Sequence, residues 1–299
     1  MKYAIVVDSS IGLTKYETEK LGWYFLPLNI NIDGTNYADG VDITPKTLFE
    51  KFNLKSDVKT SMFNMKEAID LFTKLSNEVD RIFVYPISTH LSNTCDTLTA
   101  MRNDFPKLRV IRSKQISVPL LFDAIWLDSK LKSEPEKADQ FVETIEKATW
   151  NNSVTLIPKH NRYLVKGGRL HPAAAGIARL LKLVPLIRWF DGQLLKEGIG
   201  RNFEKSILKN AQDKVKNFKL EKDFTMIPII IQSGVDSHDL EQYSNTIKDL
   251  TNISPWVFDI PPVVAMHTGP ESYVLGLMSF PTNTVDYLKN KIKLLQSIK

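Results

Sequence analysis

Arg81-Ile-Phe-Val-Tyr-Pro-Ile-Ser-Thr-His-Leu-Ser-Asn-Thr-Cys-Asp-Thr97 joins a short apolar run to a helix-like segment through a series of small and polar residues. Arg81 to Ile87 has the length and the β-branched and aromatic content of a buried parallel strand. Leu98, Met101 and Phe105 then recur at helical spacing, which places Ser92 or Asn93 to cap a new helix. The order strand, polar turn, helix is that of an α/β chain. In open α/β sheets ligands gather beyond the carboxyl ends of strands, where helix N-termini favour anions. Ser88, Thr89, Ser92 and Thr94 are therefore candidate ligand contacts, and equally candidates for capping the helix and nothing more.

The same pattern recurs on both sides of this stretch. Lys2 to Val7 reads as a central strand running into Asp8-Ser9-Ser10, with Thr14 available to start a helix. Trp23 to Ile32 is a second apolar run, to which Asp33-Gly34 gives a hairpin-like turn signal. Thr44-Pro45 predicts a helix through about Phe52, with proline at its first position. The hydroxyl pair Thr60-Ser61 precedes a helix over 66–75, and Leu108 to Ile111 is a short strand. Helices follow over 116–131 and 135–150.

The second half begins near Ser153, which sets expected domains at 1–152 and 153–299. Val154 to Ile157 is a strand, followed by a basic stretch through Lys159, His160, Arg162, Lys166 and Arg169. Gly167-Gly168 permits positive φ and a close backbone approach, which puts Lys166 and Arg169 at an exposed corner rather than along a helix face. Ala173 to Leu181 reads as a helix, and 182–190 and 193–196 flank the hairpin turn Asp191-Gly192, so this half contains antiparallel pairing. Helices over 203–215 and 237–250, strands over 224–232 and 273–280, and a closing Lys-rich helix complete the chain. His267 stands in a polar cluster, Met266 to Ser272, where Gly269-Pro270 marks a turn at the end of a strand. A lone histidine beside apolar sequence is more often a core residue satisfied by one hydrogen bond, but ligand groups also collect at such turns.

Composition narrows the class. At 299 residues the chain is long enough for two domains with their own cores. Lys plus Arg (39) exceeds Asp plus Glu (34) by only five, too little to argue for a nucleic-acid partner. Cys95 is the only cysteine, so no internal disulfide can form, and a reducing, cytoplasmic setting is expected. The longest apolar stretch, around Ser117 to Leu127, is interrupted by Asp123 and falls short of the roughly 20 residues of a membrane span. The apolar start of the chain ends at Asp8, which is not the form of a signal peptide.

Taken in order, Asp8-Ser9-Ser10, Thr60-Ser61, Leu91-Ser92-Asn93-Thr94, Lys166-Gly167-Gly168-Arg169, the Asp191-Gly192 hairpin with Arg201, and His267-Thr268-Gly269-Pro270 resemble the DegV family of fatty-acid-binding proteins. The ordered set, not any one motif, carries the resemblance, and it covers essentially the whole chain. It implies two α/β domains, the first with a Rossmann-like parallel sheet and the second with a mixed or antiparallel one, and a long-chain fatty acid between them. The carboxylate would be held by Thr60, Ser61, Ser92 and Asn93, with His267 and Thr268 close by. The resemblance further implies a carrier subunit without its own ATP site, which presents the carboxylate to a separate ATP-binding fatty acid kinase subunit. Lys166, Arg169 and Arg201 would face that kinase. No cofactor is implied.

The chain departs from the family pattern in two places. Asn93 stands where glycine is usual, although asparagine tolerates positive φ better than most residues. Arg112 stands where aspartate is expected before Ser113. Met62, Phe63, Ile116, Leu120 and Met278 are candidates for the tail tunnel and equally for a dry core.

The rival functions have less support. An α/β-hydrolase-like esterase acting on a small acyl ester would need Asp8, Ser92 and His267 in exchanged order, and no Gly-x-Ser-x-Gly elbow surrounds these serines. No dinucleotide fingerprint or P-loop follows Val7 or Ile87, so tight ATP binding by this chain alone is not expected. His90, His160, His171, His238 and His267 lack paired metal-ligand spacing. Tyr163 is the only aromatic residue within the basic stretch, against a nucleic-acid platform.

Overall fold

A computed structural model of the chain describes residues 1–147, 150–168 and 183–298. It opens with β1 (Tyr3–Asp8), α1 (Lys15–Lys20), β2 (Tyr24–Leu26), β3 (Asn29–Ile32) and β4 (Thr35–Ala38). Next come α2 (Leu48–Lys51), β5 (Val58–Ser61), α3 (Met65–Glu78), β6 (Arg81–Tyr85), α4 (Thr94–Ala100), β7 (Leu108–Val110), α5 (Ser117–Ser133) and α6 (Ala138–Lys147). Strands β2-β1-β6-β7 form an all-parallel sheet in that order. Alternate residues of its central strands serve opposite faces. Ala4, Val6, Ile82 and Val84 pack with Phe72, Leu75 and Leu98 of α3 and α4, while Ile5, Val7, Phe83 and Tyr85 join the core that contains α5. Burial on both faces is why these strands read as unbroken apolar runs.

Beside this sheet, β4-β3-β5 pair antiparallel. The Asp33-Gly34 turn has φ of 51° and 87°, the left-handed pair that a two-residue hairpin requires. Two expectations fail here for local reasons. The run from Trp23 to Ile32 is two strands in two sheets, broken at Pro27, which has no N–H for a ladder. Pro45 does not begin a helix but lies in a turn closed by Thr47 N–H donating to Thr44 O (3.1 Å), and helix begins only at Leu48.

The remainder is β8 (Ser153–Ile157), α7 (Asn161–Gly167), β9 (Val184–Phe190), β10 (Gln193–Gly200), α8 (Phe203–Asn217) and β11 (Phe224–Ser233). Then follow α9 (Ser237–Thr251), β12 (Trp256–Asp259), α10 (Pro262–Thr268), β13 (Ser272–Pro281) and α11 (Val285–Ser297). Its sheet runs β10-β9-β8-β13-β11-β12, antiparallel throughout except for the β11–β12 pair. The molecule is thus mixed α/β, with a parallel sheet and a separate mixed sheet. Lys166 and Gly167 close helix α7 rather than forming a corner, and Gly168 (φ 64°) is its left-handed cap. The expected helix over 173–181 and Arg169 lie outside the described residues.

Helix α5 joins the two sheets. Of its 17 residues 13 are buried, as expected for a helix that is apolar on all sides. Phe122 stacks edge-on against Trp256, Phe258 and Phe280 of the second sheet, at 5.8, 6.4 and 5.9 Å. Its two buried acids are both bonded: Asp123 accepts from Tyr85 Oη (2.7 Å), and Asp128 from Tyr3 Oη (3.0 Å) and Tyr287 Oη (2.6 Å). Among the described residues no helix is long and apolar enough to cross a membrane.

Candidate functional site

A cavity of about 520 Å³ lies between the two sheets. Leu28, Met62, Ile87, Leu91, Ile116 and Pro119 of the first half face Val154, Leu156, Ile187, Leu194, Ile231 and Val263 of the second across it. Thr60, Ser61, Thr89, His90, Ser92, Asn93, Ser117, His267 and Thr268 supply the polar part of the wall. All six residues expected to meet a carboxylate therefore line one cavity, although they come from positions up to 208 residues apart.

The Thr60–His267 pair spans the halves. Thr60 stands on β5 opposite Ile30, and its hydroxyl lies 3.2 Å from Nε2 of His267 on α10. Gly167 makes that position available to the imidazole: a Cβ there would lie 2.6 Å from His267 Nδ1. A second glycine repeats the device in reverse, because a Cβ on Gly269 (φ 85°) would lie 2.4 Å from the Tyr163 ring. Helices α7 and α10 thus pack by setting a ring against a glycine in each direction. Lys166 points its ammonium at the first half, donating to Leu54 O (3.4 Å) and Ser56 O. Phe52 meets Tyr163 edge-on at 5.3 Å nearby.

The hydroxyl loop after β6 is held from below and from the side. Asp8 Oδ2 accepts from Ile87 N (2.7 Å), and Ser88 Oγ donates to Gly192 O (2.8 Å). Burial pushes the Asp8 carboxyl up to about 6, against the hydrogen bonds from Ser10 and Ile87. Gly192 has no room for a side chain, since a Cβ would meet Ser88 Oγ at 2.7 Å and His90 Cδ2 at 2.9 Å. Asp191 beside it pairs with Lys114 (2.6 Å). Ser92 Oγ lies 2.8 Å from Thr94 Oγ1 and accepts from Thr94 N, so Ser92, one residue before the cap position, supplies the side-chain bond at the helix start. Asn93 holds the cap position without a side-chain bond and with φ of −77°, so its tolerance of positive φ is not used. Arg112 faces away, paired with Asp96 at 3.7 Å.

The tail candidates divide. Met62 and Ile116 line the cavity, while Phe63, Leu120 and Met278 are buried in the core. One expectation about the turn after His267 is corrected: Gly269 follows the helix that carries the histidine rather than a strand, because the apolar run before it ends β12 at Asp259 and restarts as α10. Sequence reasoning missed Trp189 and Ser117. Trp189 Nε1 donates to Gln115 Oε1 (3.2 Å) at the wall. Ser117 has φ of 57° and a buried hydroxyl with no hydrogen-bond partner among the described residues, as does Thr268. Pro119 two residues on was the available signal of an irregular helix start. Arg201 is exposed between β10 and α8. By register that end of the hairpin, where Gly200 faces Val184, is the end at which Ile157 meets Tyr273, a few residues after His267.

These features define an α/β protein of two larger sheets and a small antiparallel one, with an apolar cavity between its halves, closed at one place by hydroxyls and an imidazole. The chain matches the profile of the DegV family, described as uncharacterised proteins, over residues 2–281, and it belongs to that family. A DegV domain-containing protein of Mycoplasmopsis pulmonis is 35% identical over 292 residues, 96% of this chain and 99% of that protein. Among solved structures, a fatty-acid-binding DegV family protein from Thermus thermophilus superposes with a TM-score of 0.80 at 22% identity, over 94% of this chain and 100% of that one. A stearic-acid-binding protein from Eubacterium ventriosum gives a TM-score of 0.78 at 25% identity, over 92% and 98%.

Proposed function

We propose that this chain binds a long-chain fatty acid in the cavity between its domains, divided at residue 152, and works in the bacterial cytoplasm as the carrier half of a fatty acid kinase. The observation that carries the reading is the Thr60–His267 hydrogen bond, which sets a polar clasp from both halves on the wall of an otherwise apolar cavity. The carboxylate would lie among Thr60, Ser61, Ser92, Asn93, His267 and Thr268. Burying about 15 methylenes at roughly 0.8 kcal/mol each gives about 12 kcal/mol before association costs, so the tail supplies affinity. Hydrogen bonds to the head contribute about 1.5–3 kcal/mol each but must offset desolvation of the carboxylate, so they mainly orient it. Neutral hydroxyls and one imidazole hold a carboxylate without the permanent charge of an arginine clamp, which suits release as an acyl phosphate.

In this reading the chain has no ATP site of its own, and Lys166, Arg169 and Arg201 are the residues that would face an ATP-binding kinase subunit. Lys166 contributes there mainly by holding the halves together, since its ammonium is engaged with Leu54 and Ser56. Native mass spectrometry of protein from the expressing cell tests the reading. The expected result is an added mass of a C14 to C18 acid, and protein that is empty from several hosts overturns it. Arg169→Ala and Arg201→Ala should lower acyl phosphate formation while leaving lipid bound; loss of lipid in Arg201→Ala would remove the kinase-facing assignment.

A further inference from the structure

The buried acids beneath the cavity belong to neither its wall nor the kinase-facing set, yet they connect its two polar elements. Asp8 receives Ile87 N, the first residue of the hydroxyl loop. Ser9 Oγ accepts from Leu28 N (3.1 Å), and Leu28 O accepts from Asp39 N (2.9 Å). Asp39, fully buried at 0% exposure, reaches across to the other half, where its Oδ2 accepts from Val263 N (3.3 Å). Val263 is the second residue of α10, and its N–H has no partner within the helix because it lies in the first turn. The helix that carries His267 is therefore anchored at its start by a side chain from the half that carries Thr60.

We propose that Asp39 is a positioning residue for the polar end of the cavity: by holding the first turn of α10 it fixes His267 against Thr60. The anchor acts at a distance of one turn. Val263 and His267 are four residues apart on one helix, so a shift at the first is carried to the second by the rigid i to i+4 geometry. At its far end the same helix is fixed by Gly269 against Tyr163 and by Ser272 Oγ donating to Thr268 O (2.9 Å). Removing the Asp39 acceptor leaves that end tethered and frees the first turn, so the helix can roll about its own axis and turn the His267 ring relative to Thr60. Burial first, with Asp8 adding to it, pushes the Asp39 carboxyl up to about 8, while Ser9, Val263 and Gly40 oppose the rise. At neutral pH the group is thus close to the uncharged form that asparagine imitates, and Asp39→Asn keeps an acceptor for Val263 N.

The inference rests on the fatty-acid reading only for what the site holds, and one of its two measurements needs no ligand. In ligand-free protein, the imidazole NMR signals of His267, assigned with His267→Gln, should move or broaden in Asp39→Ala and keep their wild-type positions in Asp39→Asn. With ligand, Asp39→Ala should lose about tenfold in affinity for hexadecanoate relative to hexadecan-1-ol, the scale of one hydrogen bond to a charged group, and Asp39→Asn should restore the ratio. Should the alanine variant not fold, Asp39→Leu fills the space without an acceptor and carries the same comparison. Unmoved His267 signals in folded Asp39→Ala or Asp39→Leu, or equal weakening of acid and alcohol, would overturn the proposal. Wild-type protein that binds neither lipid would instead remove the fatty-acid reading and leave the NMR comparison standing.

Discussion

Single atoms decide how the polar end works. Thr60→Val removes a hydroxyl at constant shape, so affinity for a long-chain acid should fall by roughly ten- to a hundredfold, the range of a hydrogen bond to a charged acceptor, in a lipid-displacement titration. Gly167→Ala touches no ligand but places a methyl 2.6 Å from His267 Nδ1; a loss of about 1–3 kcal/mol by denaturant unfolding is expected from overpacking, with weaker acid binding. Equal stability and binding in that variant would mean the ring has room to move. The buried carboxyls make a prediction about pH. Burial pushes Asp8 to about 6, Asp123 to about 7 and Asp39 to about 8, against about 3.9 in an unfolded chain. Between about pH 4 and pH 8 the folded chain therefore keeps protons that the unfolded chain has lost, and stability falls as pH rises through that window. The melting temperature should decline from pH 5 to pH 8, and Asp39→Asn should flatten the decline. A melting temperature rising from pH 5 to pH 8 would contradict the sign.

At the scale of elements, the hairpin β9–β10 and the strand β8 bound the cavity away from His267. Trp189 faces Val154 in register, about 10 Å along the sheet from the Ile157–Tyr273 pair at about 3.3 Å per residue. Leu194→Trp should fill this end and shift the acids extracted from purified protein toward shorter chains; an unchanged chain-length profile would place the tail elsewhere. The elements legible in the sequence were those whose pattern is set locally. The parallel strands were visible because both of their faces are buried, and the hairpins at Asp33-Gly34 and Asp191-Gly192 because a two-residue turn needs left-handed residues. What escaped depends on distant partners. The break at Pro27 matters only because β2 and β3 join different sheets. Helix α10 begins at the second of two consecutive prolines, in a run that is apolar on every side, so its period is hidden. The polar residues of the cavity wall could be collected because hydroxyls and histidine at element ends are conspicuous. Asp39 could not, since its role depends on an N–H 224 residues later.

Across the whole molecule, the cavity is a seam rather than a pocket within one domain. One continuous apolar cluster runs from Val7 and Tyr85 through Phe122 and Trp126 to Ile229 and Phe280, so the halves share a core on one side of α5. Around the cavity the polar contacts between the described parts of the halves include Thr60 with His267, Lys166 with two carbonyls, Ser88 with Gly192, Lys114 with Asp191, Gln115 with Trp189 and Asp39 with Val263. The exposed ion pair among them contributes little, and single hydrogen bonds contribute about 0.5–1.5 kcal/mol each. A lipid filling the seam adds apolar area to both walls at once, so it should stabilise the joint more than either half. At a free acid concentration of 100 times Kd the gain is about 2.7 kcal/mol, which for a chain of this length is a rise in melting temperature of about 4 °C. The location of the effect is the stronger test. Hydrogen exchange should slow together at β5 in the first half and α7 and α10 in the second, because opening the seam exposes all three. Protection confined to one half would mean that the lipid does not bridge the sheets, and the cavity between them would lose its assigned role.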